Sequence, residues 1–195
     1  MTYDSTNDTL NHVSEVKKRL YRLLYELEVR ATHHDDSKLE DPEKSYFDKY
    51  TPKLQEVDYG SDEYHWNLEE MKPALDHHYE MNRHHPEHFK KYICNGCSTV
   101  YYSNPDYPCV NCGYSQFQEE VDISQMHLVD LLEMVCDWDA ATKRHPSGDI
   151  YNSIEINQER YGFSDELKSI LISTVKLLES EFYNDEEVFS EGERR

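Results

Sequence analysis

Leu10, Val13, Val16, Leu20, Leu23, Leu24 and Leu27 recur at three- and four-residue intervals. That period predicts one amphipathic helix over residues 6–31. His12 projects about 70° from the centre of the apolar stripe, at ~100° per residue. Arg30 lies about five helical turns further on and projects in nearly the same direction. A short helix is expected to carry His34 and Asp35. Asp41-Pro42-Glu43 then reads as an N-cap with proline at the first helical position.

Tyr59-Gly60-Ser61 breaks the chain, and Ser61 is placed to cap the next helix. In it, Tyr64, Leu68, Met71, Leu75, His78 and Asn82 follow a four-three-four-three-four spacing. The core-facing stripe therefore ends in an imidazole and an amide. Burying such groups costs free energy unless something satisfies them. Pro86 disfavours helical geometry at His85, so the helix should end near the histidines. A long pair of helices is expected over about 124–145 and 164–183. The second opens with Ser164-Asp165-Glu166, a cap followed by two acids in the first turn.

The fold class that follows is mostly α, with one helical domain over residues 1–91 and 119–183. It is interrupted by a small module over 92–118 and followed by a charged, frayed tail over 184–195. The chain has 195 residues, enough for one core plus a satellite. No apolar run approaches the roughly 20 residues that cross a bilayer. Met1-Thr2-Tyr3-Asp4 has neither the basic start nor the apolar core of a signal peptide, so a cytoplasmic location is expected.

The formal charge of −20 argues against a general nucleic-acid binder, which needs clustered Lys and Arg. It fits solubility, a basic protein partner, or carboxylates gathered around cations. The 16 tyrosines are scattered and form no stacking motif.

The interrupting module carries its own chemistry. Cys94 and Cys97, then Cys109 and Cys112, form two CxxC pairs. Two such pairs can fold as knuckles whose four thiolates enclose one tetrahedral Zn²⁺. Gly96 and Gly113 supply backbone freedom, and Thr99-Val100-Tyr101-Tyr102, Tyr114 and Phe117 suit short ribbon strands. Disulfides are a weak alternative in a cytosolic chain. Four thiolates leave no open position, so the expected role of this zinc is structural. Cys136 stands alone and reads as a small hydrophobe.

A second constellation is richer. His33-His34-Asp35-Asp36-Ser37-Lys38 is followed by His84-His85-Pro86-Glu87-His88. Adjacent His and Asp side chains suit a borderline divalent metal: Mn²⁺, Fe²⁺, Zn²⁺, Co²⁺, Ni²⁺ or Mg²⁺. Candidate ligands are His12, His34, Asp35, His78, His84, His85, Asp130 and Asp137. Each has a plainer reading: His12 as an edge-of-face histidine, His78 as a hydrogen-bonded core histidine. Asp130 and Asp137 share a helix face but lie ~10 Å apart along the axis, too far to grip one ion. Asp130 instead suits a second metal or an N–H of a ligating histidine. Arg30, Lys38 and Arg144 are the cations at hand for a substrate phosphate. Lys38, Glu87 and Glu133 are the catalytic candidates; either glutamate could orient water or accept its proton.

The order His12, His34-Asp35, Asp137 resembles the HD-domain metal phosphohydrolase superfamily over most of the chain outside 92–118. In that family a first-helix His, an adjacent His-Asp pair and a late helical Asp bind metal inside a helical bundle. His34-Asp35-Asp36-Ser37-Lys38 is similar to the His-Asp-x-Gly-Lys motif of the HD-GYP branch. His84-His85 resembles that branch's later paired histidines. Ser37 replaces the glycine, and the Gly-Tyr-Pro signature is missing, so cyclic-dinucleotide cleavage does not carry over. The likeness is nearest to small phage-encoded HD-like proteins, which carry blocks similar to Asn82-Arg83-His84-His85-Pro86-Glu87 and Glu133-Met134-Val135-Cys136-Asp137-Trp138.

The resemblance implies an HD-type bundle with an inserted zinc ribbon and one or two divalent ions. It further implies a metal-dependent phosphohydrolase acting on a nucleotide or other small phosphorylated metabolite. If the chain is viral, its location is the host cytoplasm. Two alternatives stand beside this expectation: an HD-type di-iron oxygenase, and a non-enzymatic acidic protein that binds and modulates a host factor. Self-association into a homo-oligomer is left open by the sequence.

Overall fold

The computed structural model describes residues 3–57, 61–144 and 148–180. The expected frayed tail over 184–195 lies outside these residues. Two compact units divide the chain: Met1–Phe89 with Met126–Glu133, and Lys90–Gln125 with Met134–Arg195. The described structure is mostly helical, as the periodicity predicts. Among the described residues no helix is long and apolar enough to cross a membrane.

The first unit opens with α1 (Thr6–His33), a 28-residue helix. Its length matches the predicted span, but its apolar stripe is not part of a core: none of its residues is buried. His34 then leaves the helix at φ −55°, ψ 123°. Asp35 takes a left-handed conformation at φ 59°, one that Asp tolerates better than most side chains. A 3₁₀ turn, Asp36–Leu39, follows. The His34-Asp35 pair therefore sits at a sharp junction, not within a short helix as its sequence suggests.

Helix α2 (Glu43–Glu56) starts after Pro42, with the Ser45 amide donating to Asp41 Oδ1 at 3.2 Å. Ser61 caps α3 (Asp62–Glu70) by accepting from the Tyr64 amide at 3.1 Å. The single stripe predicted from Tyr64 to Asn82 is split between α3 and α4 (Lys72–Met81). Pro73 is the cause: proline lacks the N–H an uninterrupted helix needs and is best accommodated in the first turn, where it sits in α4. The stripe still works across the break, because Met71 and His78 are buried and Tyr64, Leu68, Leu75 and Asn82 half-buried. A second 3₁₀ turn, Pro86–His88, closes this stretch. The core of the unit combines Tyr50, Met71, Ala74, Phe89 and Val129 with buried polar Glu43, Asn67, His78, His84 and Asp130. So many buried polar groups in one unit mark a site rather than a plain core.

The second unit begins with an antiparallel sheet in the order β2-β1-β3. Its strands are β1 (Lys90–Cys94), β2 (Val100–Tyr101) and β3 (Phe117–Val121). Tyr92 pairs with Tyr101 on one side and Glu119 on the other. The first strand runs into Cys94, the first residue of the first cysteine pair, through a Lys-Lys-Tyr-Ile run. Ion pairs Lys90–Glu119 at 2.8 Å and Lys91–Glu120 at 3.3 Å cross the ladder.

Helix α5 (Leu128–Thr142) is shorter than the expected 124–145 and starts in the first unit. Helix α6 (Ile150–Tyr161) has no counterpart in the sequence reading, and α7 (Asp165–Leu178) lies within the expected 164–183. Gly162, at φ 66°, ends α6 in the left-handed geometry glycine adopts without steric cost. Ser164 caps α7 through the Leu167 amide at 3.3 Å. Ile150, Ile154, Phe163, Leu171 and Val175 are the buried hydrophobic residues of this stretch.

Candidate metal centres

In the second unit the sulfurs of Cys94, Cys97, Cys109 and Cys112 all lie within 4.8 Å of one another. The Cys94–Cys112 and Cys97–Cys109 pairs are 3.5 Å apart, and none of these four cysteines is in a disulfide. Four thiolates around one zinc at ~2.3 Å would stand ~3.8 Å apart, so the cage is close to the size zinc requires. Gly96 is required there, because a Cβ would meet Tyr114 Cβ at 2.9 Å and Cys112 Sγ at 3.1 Å. Its amide donates to Cys94 Sγ at 3.4 Å. Tyr101 donates its hydroxyl to Cys109 Sγ at 3.3 Å, which pulls the Cys109 thiol down to about 5. That group is a thiolate, the form that binds metal, at neutral pH. The purified protein is expected to hold one zinc that a strong chelator removes with loss of the sheet's amide protection; hydrogen exchange measured before and after chelation checks it.

The first unit holds the second constellation. Asp35, His78, His84 and His85 place one ligand atom each within 4.8 Å of the others. His34, Asp35 and His84 satisfy the same criterion as an overlapping set. The imidazoles are crowded: ring centroids are 4.5 Å apart for His34–His84, 4.2 Å for His84–His85 and 4.6 Å for His78–His85.

Carboxylates fix how these rings point. Glu43, fully buried at the start of α2, lies 2.8 Å from Nδ1 of both His77 and His78 and accepts from Ser37 Oγ at 3.0 Å. Glu133 Oε1 lies 3.0 Å from His34 Nδ1 and 3.1 Å from His84 Nδ1. A carboxylate acceptor keeps the proton on Nδ1, so Nε2 presents its lone pair. Those Nε2 atoms converge on Asp35: His78 at 3.4 Å, His84 at 3.5 Å and His34 at 3.6 Å. His78 Nε2 is only 2.8 Å from His85 Nε2.

Two of the converging atoms, Asp35 Oδ1 and His84 Nε2, are buried with no hydrogen-bond partner among the described residues. Leaving such groups unsatisfied is costly, and a cation between them removes that cost. Nitrogen and oxygen ligands at ~2.0–2.2 Å from a metal would stand ~3.0–3.4 Å apart, near the spacing found here. The donor set therefore fits a borderline divalent ion.

The electrostatics agree. Burial alone would raise Asp35, but the Lys38 ammonium at 2.6 Å from Oδ2 holds its carboxyl below the usual range. Burial first, then nearby Lys38, pushes His78 down, towards the neutral form a metal ligand needs. Glu133 resists burial in the same way as Asp35. Bonds from His34, His84 and Arg30 hold it well below its ordinary value.

The remaining expected site residues take varied places. Arg30 is engaged by Glu26 at 3.0 Å, Asp130 at 2.7 Å and Glu133 at 3.1 Å, so it braces carboxylates instead of offering an open phosphate contact. Asp130, fully buried, also takes Arg83 at 3.1 Å and the His127 amide at 2.8 Å. Its oxygens face guanidinium groups and an amide, not imidazoles. Glu133 orients histidines, a different task from positioning water. Glu87 is half-buried in the Pro86–His88 turn. His12 is on an exposed turn of α1 and joins none of the metal-capable groups among the described residues. Asp137 is half-buried further along α5, and Arg144 is exposed beyond that helix, both in the second unit.

Glu43, Ser37, Asn82 and Arg83 were not among the site residues expected from sequence. Asn82 donates to Ser37 Oγ at 2.8 Å and to the His78 carbonyl at 2.9 Å, tying the two ligand-bearing segments together. Its place at the end of the 64–82 stripe was the one available signal. Glu43→Ala is expected to weaken divalent-metal binding by roughly 10–100-fold while leaving the ribbon zinc in place. Titrations monitored by calorimetry check it.

A family model described as a family of unknown function (DUF5662) matches residues 1–180. No curated protein and no solved structure matches the chain.

Proposed function

We propose, from the premise that the chain belongs to the DUF5662 family, that it is a metal-dependent phosphohydrolase of the HD type. Its substrate would be a nucleotide or another small phosphorylated metabolite. The observation that carries this reading is the convergence of His78 Nε2 and His84 Nε2 on Asp35 Oδ1 and of His34 Nε2 on Oδ2, with Oδ1 and His84 Nε2 buried and without a hydrogen-bond partner among the described residues.

His78, His84, His85 and Asp35 would hold one divalent ion, and His34 with Asp35 and His84 would contribute to a second. A divalent ion in such a site lowers the pKa of its bound water towards ~7 and polarises a phosphoryl oxygen. The chain's own residues prepare the place. Glu43 and Glu133 keep the histidine protons on Nδ1, so that Nε2 faces inward. Lys38 balances Asp35 and brings a positive charge close to where a phosphate would sit. Arg30 and Arg83 anchor the carboxylates behind the histidines.

The same ligands suit a di-iron oxygenase, and metal identity separates the two. The test is release of inorganic phosphate from nucleoside mono- and triphosphates and cyclic nucleotides with Mn²⁺, Co²⁺ or Mg²⁺. Release that depends on an added divalent ion supports the proposal. No release with any metal, or iron-bound protein that consumes oxygen, sinks it.

A further inference from the structure

Helix α1 is anomalous in a way the metal site does not explain. Leu10, Val13, Val16, Leu20, Leu23 and Leu24 are 61%, 54%, 41%, 55%, 50% and 57% exposed. A helix ~42 Å long thus carries an apolar stripe with no cover among the described residues. A stripe of this extent is a docking face, since isolated exposed hydrophobics are ordinary but contiguous ones are not.

The pattern within the stripe names the occupant. Val13, Val16, Leu20 and Leu23 follow three-four-three spacing, the seam by which one helix packs lengthwise on another, and Leu27, next in the series, is half-buried. Half-exposed Leu and Val side chains at six positions offer on the order of 600 Å² per copy. Two copies facing each other would bury about 1,200 Å², the lower bound for a stable specific interface.

Charge selects the direction. Along one flank of the stripe the order is Glu15, Arg19, Glu26, Arg30. Within the chain these residues pair as Arg19–Glu15 at 2.9 Å and Arg30–Glu26 at 3.0 Å. Acid-base-acid-base read backwards is base-acid-base-acid. An antiparallel partner with Leu20 opposite Leu23 of the second copy therefore sets Arg19 beside Glu26 of that copy, twice by symmetry. A parallel pair would face Arg19 with Leu24 instead and gain no ion pair. The helix is also close to charge-balanced, with five Lys and Arg against four Asp and Glu, in a chain of net charge −20. It is thus a surface on which two copies can approach without the repulsion the whole chain carries.

We propose that α1 is a self-association surface, on which two copies of this chain pair antiparallel along the Val13–Leu23 seam. Sedimentation equilibrium of the full chain, metals retained, tests it across the micromolar range. The expected mass is twice 23.3 kDa. Leu20→Asp with Leu24→Asp gives a monomer with unchanged helical circular dichroism and zinc content. Arg19→Glu alone weakens the dimer roughly tenfold, and adding Glu26→Arg restores it. A wild-type monomer throughout that range, a dimer indifferent to the two aspartates, or no rescue by the charge swap overturns the pairing.

Discussion

Asp35→Ala is expected to reduce phosphate release by at least ~10³-fold without unfolding the protein. Among the described residues, Asp35 is the one carboxylate on which His34, His78 and His84 all converge, at 3.4–3.6 Å. Removing it takes away an oxygen ligand and leaves Lys38 without its 2.6 Å partner. The loss should therefore exceed that at Glu43, which acts on the metal only through the rings it orients. Folding should survive, because Asp35 is only half-buried and lies outside the buried hydrophobic core. Initial rates under saturating metal, alongside thermal unfolding of both proteins, decide the matter. Activity within about tenfold of wild type would exclude Asp35 from the reacting centre.

The second large effect concerns stability. Asp130→Asn should destabilise the fold by about 3 kcal/mol, the lower end of the range for breaking a buried pair. Asp130 is fully buried, and its oxygens are shared by Arg30, Arg83 and the His127 amide. The lower end applies because the Arg83 side chain is 39% exposed and can turn to water. The effect has a pH signature. Burial opposes ionisation of Asp130, but the His127 amide and the two guanidiniums outweigh it and hold its folded-state pKa below the unfolded value. A carboxyl shifted in that direction contributes stability that is complete above its unfolded pKa, near ~4. That contribution is lost as pH falls through the folded value. The gap between wild type and Asp130→Asn should be constant from neutrality down to mildly acidic pH, then shrink on further acidification. Urea melts across that range read it directly; a gap that does not narrow in acid would show that the carboxylate's charge is not what stabilises.

Much of this architecture can be read from side-chain periodicity, because helices and caps are local. The span of α1, the caps at Ser61 and Ser164, and the four-cysteine module follow from spacing and residue type alone. Where the sequence reading fell short, the deciding interactions were not local. Helix α6 shows only Ile150 and Ile154 as buried apolar positions, too sparse a stripe to stand out against its polar residues. Pro73 is a different case: its missing N–H breaks the 64–82 stripe locally, and apolar spacing alone does not register it.

The site divides in the same way. His34, Asp35, His84 and His85 advertise themselves as residue types, and His78 as a histidine where a leucine was due. Glu43 does not, since its importance comes from meeting His78 from 35 positions away in sequence. Arg30 likewise looks like a free cation until its carboxylate partners, 100 and more residues further on, are in view. The apolar stripe of α1 gave the right helix and the wrong environment. Periodicity reports that a face will be covered, not what covers it.

The central claim is that the histidine–aspartate cluster binds divalent metal in addition to the zinc of the ribbon. Elemental analysis of purified wild-type protein beside Asp35→Ala and His84→Ala tests it most directly. The expected result is one zinc plus one or two further divalent ions per wild-type chain, falling to the single ribbon zinc in both variants. One zinc per chain in all three proteins, with no further ion taken up from added Mn²⁺, Co²⁺ or Fe²⁺, would contradict it.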